Sequence, residues 1–202
     1  MPEGTVYGVL LNFRAELEAL APQMSAPPYQ APPKAPVLYV KTANTWTPHG
    51  GSIALPAGVP EVEVGATIAM VMGDKGQPIG CVPMNDLSIP HASFFRPPVR
   101  FKCVDGFLGI GPSLRSDGAD PASFTLEVRI NGEVRQRADF SQLVRDASQL
   151  LADVGEFMTL ACGDVLMLGC AAGRPLARAG DRIEILAPGF EPLHNTLAGA
   201  SA

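Results

Sequence analysis

Proline and glycine decide what this chain can build. The 202 residues hold 20 prolines and 21 glycines, spread so that no apolar run goes far before one of them stops it. Proline has no amide hydrogen to give to a helix interior or a central strand, and glycine loses more backbone freedom on ordering than any other residue. Short apolar pieces between such stops suit strands joined by turns. Residues 5–11 (TVYGVLL), 37–41, 52–55, 59–64, 66–72 and 79–84 therefore read as strands, with turn chemistry at 74–78 (DKGQP) between the last two. The clearest hairpin is 124–130, Asn131-Gly132, then 133–137. Asn-Gly suits that turn because both central residues need positive φ. Strands at 165–168 and 182–186 follow Gly163-Asp164 and Gly180-Asp181.

Helical periodicity is confined to two places. Residues 14–20 (RAELEAL) predict a short helix with Leu17 and Leu20 on one face. One long helix is expected from about 141 to 158, where Leu143, Val144, Ala147, Leu150, Leu151, Val154 and Met158 keep the helical period and Asp139 or Ser141 caps the start. Between the first helix and the 37–41 strand, residues 22–36 form a proline-rich arm without regular structure, either a linker or a strap packed on the same domain. Many short strands and one long helix give a mainly β fold with some α, of roll or sandwich type rather than a doubly wound parallel sheet. The length suits a single domain over 1–202.

Charge and motif content exclude several functions. The net charge is −5 and no Lys/Arg cluster occurs, which argues against nucleic acid or an anionic membrane as partner. No apolar run is long enough to span a bilayer. The start shows no basic leader with a long apolar stretch, so the expected location is cytoplasmic. Cys81, Cys103, Cys162 and Cys170 show no C-x-x-C spacing and read as free thiols acting as small buried hydrophobes. His49, His91 and His194 lie far apart without metal-ligand spacing and read as polar surface or loop residues. Gly109-Ile110-Gly111 runs into Pro112 rather than a helix, so it does not support dinucleotide binding. Neither a Walker-type Gly-Lys-Ser/Thr nor a G-x-S-x-G nucleophile turn is present.

Three stretches carry more chemistry. Asn85-Asp86-Leu87-Ser88 closes a strand. Residues 96–106 (RPPVRFKCVDG) set Arg96, Arg100, Lys102 and Asp105 along an extended segment. Those cations suit the carboxylates of a dicarboxylic substrate, or else form a solvated charged loop. Residues 156–160 (EFMTL), Gly163-Asp164 and Leu168-Gly169 give a helix end, a turn and a strand leading into a glycine-rich loop.

Taken in order, together with Gly4-Thr5-Val6 to Asn12, residues 31–41, Asn44-Thr45, Gly65-Ala66-Thr67 and Gly180-Asp181, these stretches resemble the fumarylacetoacetate hydrolase family. The resemblance runs from about residue 4 to 197. Within the family it points to the N-terminal half, or separate N-terminal subunit, of isomerase/decarboxylases of homoprotocatechuate (4-hydroxyphenylacetate) breakdown. It implies a mixed β-roll that forms dimers and acts on 2-oxo acids and their enols. It also implies a divalent ion (magnesium, manganese or calcium) held by a Glu-x-Glu pair on one strand and the aspartate of the Asn-Asp motif. Strand alternation puts residues i and i+2 on one face.

This chain departs from that pattern where the metal would sit. Counting back from Gly73 and forward from Leu55-Pro56 both place the Glu-x-Glu pair at Gly65 and Thr67. Glu61 and Glu63 have the right mutual spacing but stand four residues upstream, roughly 13 Å along a strand. Asp86 is the only matching ligand, and one carboxylate makes a poor site for a hard cation. Pro90 stands where the pattern has arginine, Gly169-Cys170-Ala171 replaces a Gly-Thr-Pro loop, and Asn12-Phe13-Arg14-Ala15-Glu16 lacks the lid histidine. Lys102 matches the family's pocket lysine.

The resemblance thus implies Lys102 and Asp86 as catalytic residues, Arg96, Arg100, Asn85 and Asp105 as substrate-binding residues, and no metal bound by this chain. The implied function is that of a subunit, weak or inactive alone. Its complex would act on 5-carboxymethyl-2-oxo-hex-3-ene-1,7-dioate and 2-hydroxyhepta-2,4-diene-1,7-dioate. The metal would be carried by a homologous partner, in a homodimer or hetero-oligomer. The alternative is a degenerate structural subunit of such a complex.

Overall fold

The two longest strands pair with each other and form the spine of the structure. The computed structural model describes residues 2–93 and 95–200. Along them run β1 (Val6–Leu10), α1 (Arg14–Met24), β2 (Val37–Lys41), β3 (Trp46–Pro48), β4 (Ser52–Ala54), β5 (Val62–Met72), β6 (Pro78–Ser88) and α2 (Val99–Lys102). There follow β7 (Leu108–Ile110), β8 (Thr125–Ile130), β9 (Glu133–Asp139), α3 (Ala147–Gly155), β10 (Val165–Met167), β11 (Leu176–Ala177), β12 (Arg182–Leu186) and β13 (Leu193–Ala198). Strands β5 and β6 each have 11 residues and pair antiparallel from Glu63–Ser88 to Met72–Pro78. The turn between them places Lys75 and Gly76 at positive φ, 58° and 67°.

One sheet has the order β2-β1-β10-β5-β6-β7-β3, with β11 continuing along β5, and a second has the order β4-β13-β12-β8-β9. The expected mainly β roll is therefore what forms. Alternation along β5 decides the layers. Val62, Val64, Ala66, Ile68, Met70 and Met72 join Leu126, Val128, Ile183 and Ile185 of the second sheet in the main core. The opposite face of β5 and β6, through Ala69, Val82 and Met84, packs with Leu20 and Met24 of α1. It is this second face that carries Gly65, Thr67 and Asp86, since Gly65 pairs with Asp86 and Thr67 with Met84. No helix among the described residues is long and apolar enough to cross a membrane.

The hairpin at Asn131-Gly132 forms with the expected positive φ values of 54° and 83°. The long helix does not. Helix α3 covers only Ala147–Gly155, is capped by Asp146, whose carboxylate accepts the Gln149 amide at 2.8 Å, and is shorter than α1. Residues Phe140–Gln142 form a 3-10 turn capped by Asp139, Leu143 is extended and bridges Phe13, and Val144 lies in the bend that follows and gives its amide to the Asn12 carbonyl. The apolar period there records burial in the core rather than helix. Helix α1 in turn runs three residues into the proline-rich stretch, through Pro22 to Met24. Further along the arm, the Lys34 carbonyl accepts a 3.0 Å bond from Arg145.

Asn12 joins these parts. Its amide donates to the carbonyls of Leu168 (2.8 Å) and Arg145 (3.0 Å), and its oxygen accepts the Arg145 amide (3.0 Å). The side chain is buried, so removing it orphans groups that water cannot reach. Asn12→Ala is expected to lower the stability of the chain by about 2–3 kcal/mol, read as a shift in urea midpoint with unchanged slope.

Candidate active site

A carboxylate without solvent needs positive charge close by, and Asp86 draws it from two elements. Asp86 is 0% exposed and Lys41 and Lys102 are each 1% exposed. Lys102 Nζ donates to Asp86 Oδ2 at 2.7 Å, and Lys41 Nζ stands 2.9 Å from Oδ1. Lys41 also donates to the carbonyls of Leu87 (3.1 Å) and Lys102 (2.5 Å), which ties the end of α2 to β6. The Tyr39 hydroxyl donates to the same Oδ2, and Lys102 Nζ lies 4.7 Å above the Tyr39 ring.

Local structure explains each placement. Tyr39 and Lys41 are two residues apart on β2 and share a face. Gly8 opposite Tyr39 on β1 leaves room for the ring, since a Cβ there would fall 2.1 Å from Tyr39 Cζ. Strands β2 and β6 are not neighbours, so the sheet curls to bring their side chains together. Lys102 arrives from α2, whose last turn opens with the Lys102 amide bonded to the Pro98 carbonyl at 2.9 Å.

That helix corrects the expectation of an extended segment. A helix turns about 100° per residue, so Arg100 and Lys102 point to opposite sides where a strand would align them. Arg100 and Arg96 are exposed. Asp105 is exposed and accepts from Asn44 at 2.6 Å. Asn85 is buried on the other face of β6, where its amide donates to Asn195 at 3.4 Å. Of the six residues singled out from sequence, the structure brings only Asp86 and Lys102 together. Tyr39, Lys41 and Arg174 were missed. Alternation in 37–41 (VLYVK) pairs Tyr39 with Lys41 on one face, which was the available signal, whereas Arg174 sits in a loop with no periodicity.

Burial pushes the Asp86 carboxyl upward, but Lys102 and Lys41 pull harder, so it is held well below the usual carboxylate range. Burial lowers the Lys41 ammonium, with Asp86 opposing and Lys102 adding to that shift. The Tyr39 hydroxyl is raised by burial and then by Asp86. Cys170 is pushed up to about 12, by burial first and Asp86 second. Asp86, Lys41 and Lys102 thus form a closed ion-paired cluster, with the Tyr39 hydroxyl and the Cys170 thiol kept protonated beside it.

The donor set does not fit a divalent ion. At Gly65, opposite Asp86, a Cβ would lie 2.5 Å from the Asp86 carbonyl oxygen and 3.0 Å from Cys170 Sγ, so the position is filled from the side. Thr67 donates its hydroxyl to the Gly169 carbonyl at 2.5 Å. Glu63 and Glu61 are engaged by Arg174 (3.4 Å) and Arg178 (3.1 Å). Among the described residues no group of three His, Cys, Asp or Glu side chains is arranged to hold a metal. Cys81, Cys103, Cys162 and Cys170 are all free thiols, but only Cys81 and Cys170 are buried; Cys103 is half-buried and Cys162 exposed.

A family model described as fumarylacetoacetate (FAA) hydrolase, C-terminal, matches residues 5–198. A 4-hydroxyphenylacetate degradation bifunctional isomerase/decarboxylase of Escherichia coli is 36% identical over 96% of this chain and 47% of its own length. Its counterpart from Salmonella dublin is 37% identical with the same coverage. The chain thus spans about half the length of these curated relatives. Among solved structures, 5-carboxymethyl-2-hydroxymuconate delta-isomerase from Mycobacterium smegmatis superposes with a TM-score of 0.80 at 27% identity, covering 98% of this chain and 80% of that one.

Removing Asp86 strands two ammonium groups, whereas removing Lys41 leaves Asp86 with Lys102 and Tyr39. Asp86→Ala is therefore expected to cost about 3–5 kcal/mol in urea unfolding, and Lys41→Met distinctly less. The folded carboxyl lies below its unfolded value, so the stability linked to it is complete above pH ~4 and is lost as pH falls from there toward the depressed folded value. Unfolding titrations from pH 7 to 2 are expected to show a steep acid limb that flattens in Asp86→Asn.

Proposed function

As this chain belongs to the fumarylacetoacetate hydrolase family, we propose that it is one unit of an isomerase/decarboxylase of 4-hydroxyphenylacetate (homoprotocatechuate) catabolism, with the metal-dependent chemistry supplied by a homologous partner. One observation carries the reading. The face of β5 and β6 that would hold the metal presents Gly65 and Thr67, and its remaining carboxylate, Asp86, is already bonded to two lysines. The coverage of about half of each relative supports a second unit of comparable size.

The proposed substrates are 5-carboxymethyl-2-oxo-hex-3-ene-1,7-dioate and 2-hydroxyhepta-2,4-diene-1,7-dioate. Both carry carboxylates, and loss of CO₂ or movement of a proton leaves enolate charge that needs a positive neighbour. Magnesium, manganese or calcium held by an intact Glu-x-Glu strand supplies that charge as a Lewis acid. In this unit the corresponding positive charge is fixed on Lys41 and Lys102. On this reading Lys102, on the short helix α2, is the group that meets a substrate carboxylate.

A second reading is a purely structural unit. It is favoured by the complete burial of Asp86, Lys41 and Lys102, which leaves no path for substrate in this conformation. The two readings separate in a complex reconstituted with a partner that retains Glu-x-Glu. Under the first, Lys102→Gln in this chain lowers kcat of the complex by roughly 10-fold or more, as expected for a charge acting in the transition state; under the second, turnover is unchanged. The isolated chain is expected to show no chelator-sensitive decarboxylation, and turnover abolished by a chelator in the single chain would sink the proposal.

A further inference from the structure

On the face beside Gly65, the carboxylates within reach each have an internal cation. Asp86 has Lys41 and Lys102. Glu16 of α1 and Glu63 of β5 share Arg174, Glu16 through Nη2 and Glu63 through Nη1 at 3.4 Å. The other Glu16 oxygen accepts the Leu11 amide at 2.8 Å, which holds Leu11 in a left-handed conformation at φ 60°. The Arg174 side chain is 10% exposed and its Nε is buried without a partner. A cavity of about 290 Å³, lined by Glu16, Ala19, Leu20, Glu63, Gly173 and Arg174, opens at this point.

We propose that Arg174 is a built-in substitute for a bound cation, bridging Glu16 and Glu63 as a divalent ion would, so that this chain closes α1 onto its sheet without metal. Three carboxylates, Asp86, Glu16 and Glu63, face three cations, Lys41, Lys102 and Arg174, so the network is neutral as it stands. Inserting a further cation would leave positive charge uncompensated in a region of low dielectric, which costs far more than in water. A guanidinium is suited to the role: it is always charged and its planar fork reaches two carboxylates from its two terminal nitrogens. Glu63 is two residues from Gly65 and shares its face of β5, while Glu16 comes from the helix that covers that face. Arg174 therefore joins a strand to the helix that covers it, one step along β5 from the Gly65 position, and the comparison with a metal ion rests on the family reading above.

The measurement is thermal unfolding of the full chain with and without Mn²⁺, together with elemental analysis after dialysis. Wild type is expected to retain no manganese and to keep its Tm in Mn²⁺ or in chelator. In Arg174→Gln the two carboxylates lose their shared cation. Its Tm is expected to fall, and Mn²⁺ at saturating concentration is expected to raise it again by ~5 °C, with one ion retained per chain. Glu16→Gln/Arg174→Gln removes one carboxylate with the cation and is expected to be insensitive to Mn²⁺, which gives a folded reference if the single variant is weak. If Arg174→Gln folds only in the presence of Mn²⁺, the proposal stands. Manganese uptake by wild type, or an Arg174→Gln variant indifferent to Mn²⁺, overturns it. Loss of turnover in the reconstituted complex when the partner's Glu-x-Glu is removed would leave the functional reading intact in either case.

Discussion

A carboxylate cut off from water must be matched by positive charge, and the burial of Asp86 organises much of this molecule around that need. Its partners come from the edge strand β2 and from the short helix α2, so charge matching fixes how far the sheet curls and where the segment after β6 returns. Lys41 also satisfies the last carbonyl of α2, so one ammonium holds strand, helix and carboxylate together. Such networks are demanding. Complete, they specify one arrangement; lacking the carboxylate, they leave two ammonium groups that nothing else in the cluster neutralises.

Much of the fold was legible because strands and turns are written locally. The Asn131-Gly132 hairpin and the β5–β6 pair follow from turn residues and apolar runs that need no distant information. The helix expected over 141–158 was not legible. Leu143 and Val144 keep a helical period, yet their backbone is claimed by Phe13 and Asn12, more than a hundred residues away in sequence. Periodicity reports which side chains are buried, and a tertiary partner can supply the same burial to extended chain.

The site was legible in part for a related reason. Gly65, Thr67 and Asp86 lie on a regular strand pair, where counting residues is the same as counting faces, and the structure sets Gly65 directly across from Asp86. Arg96 and Asp105 flank, and Arg100 lies on, a helix whose presence the two prolines before it concealed, and a helix sends neighbours two apart to opposite sides. Arg174 and Cys170 belong to the irregular stretch between β10 and β11, where position follows from packing alone. Family membership and a shared fold fix the architecture of the chain, but fold alone does not carry chemistry. The side chains on one face of β5 and β6 separate this chain from the metal-binding pattern.

Gly65 has an implication for how such a chain can change over time. The space beside it is taken by the Asp86 carbonyl and by Cys170 Sγ, and its would-be counterpart Thr67 is committed to the Gly169 carbonyl. A lone substitution that adds a carboxylate at either position meets an occupied site and weakens the protein before any new property is gained. Strand β6 and the loop that carries Gly169 and Cys170 would have to alter together. The present arrangement is therefore self-maintaining: it is easy to persist in, and a carboxylate pair is not reached from it by single steps.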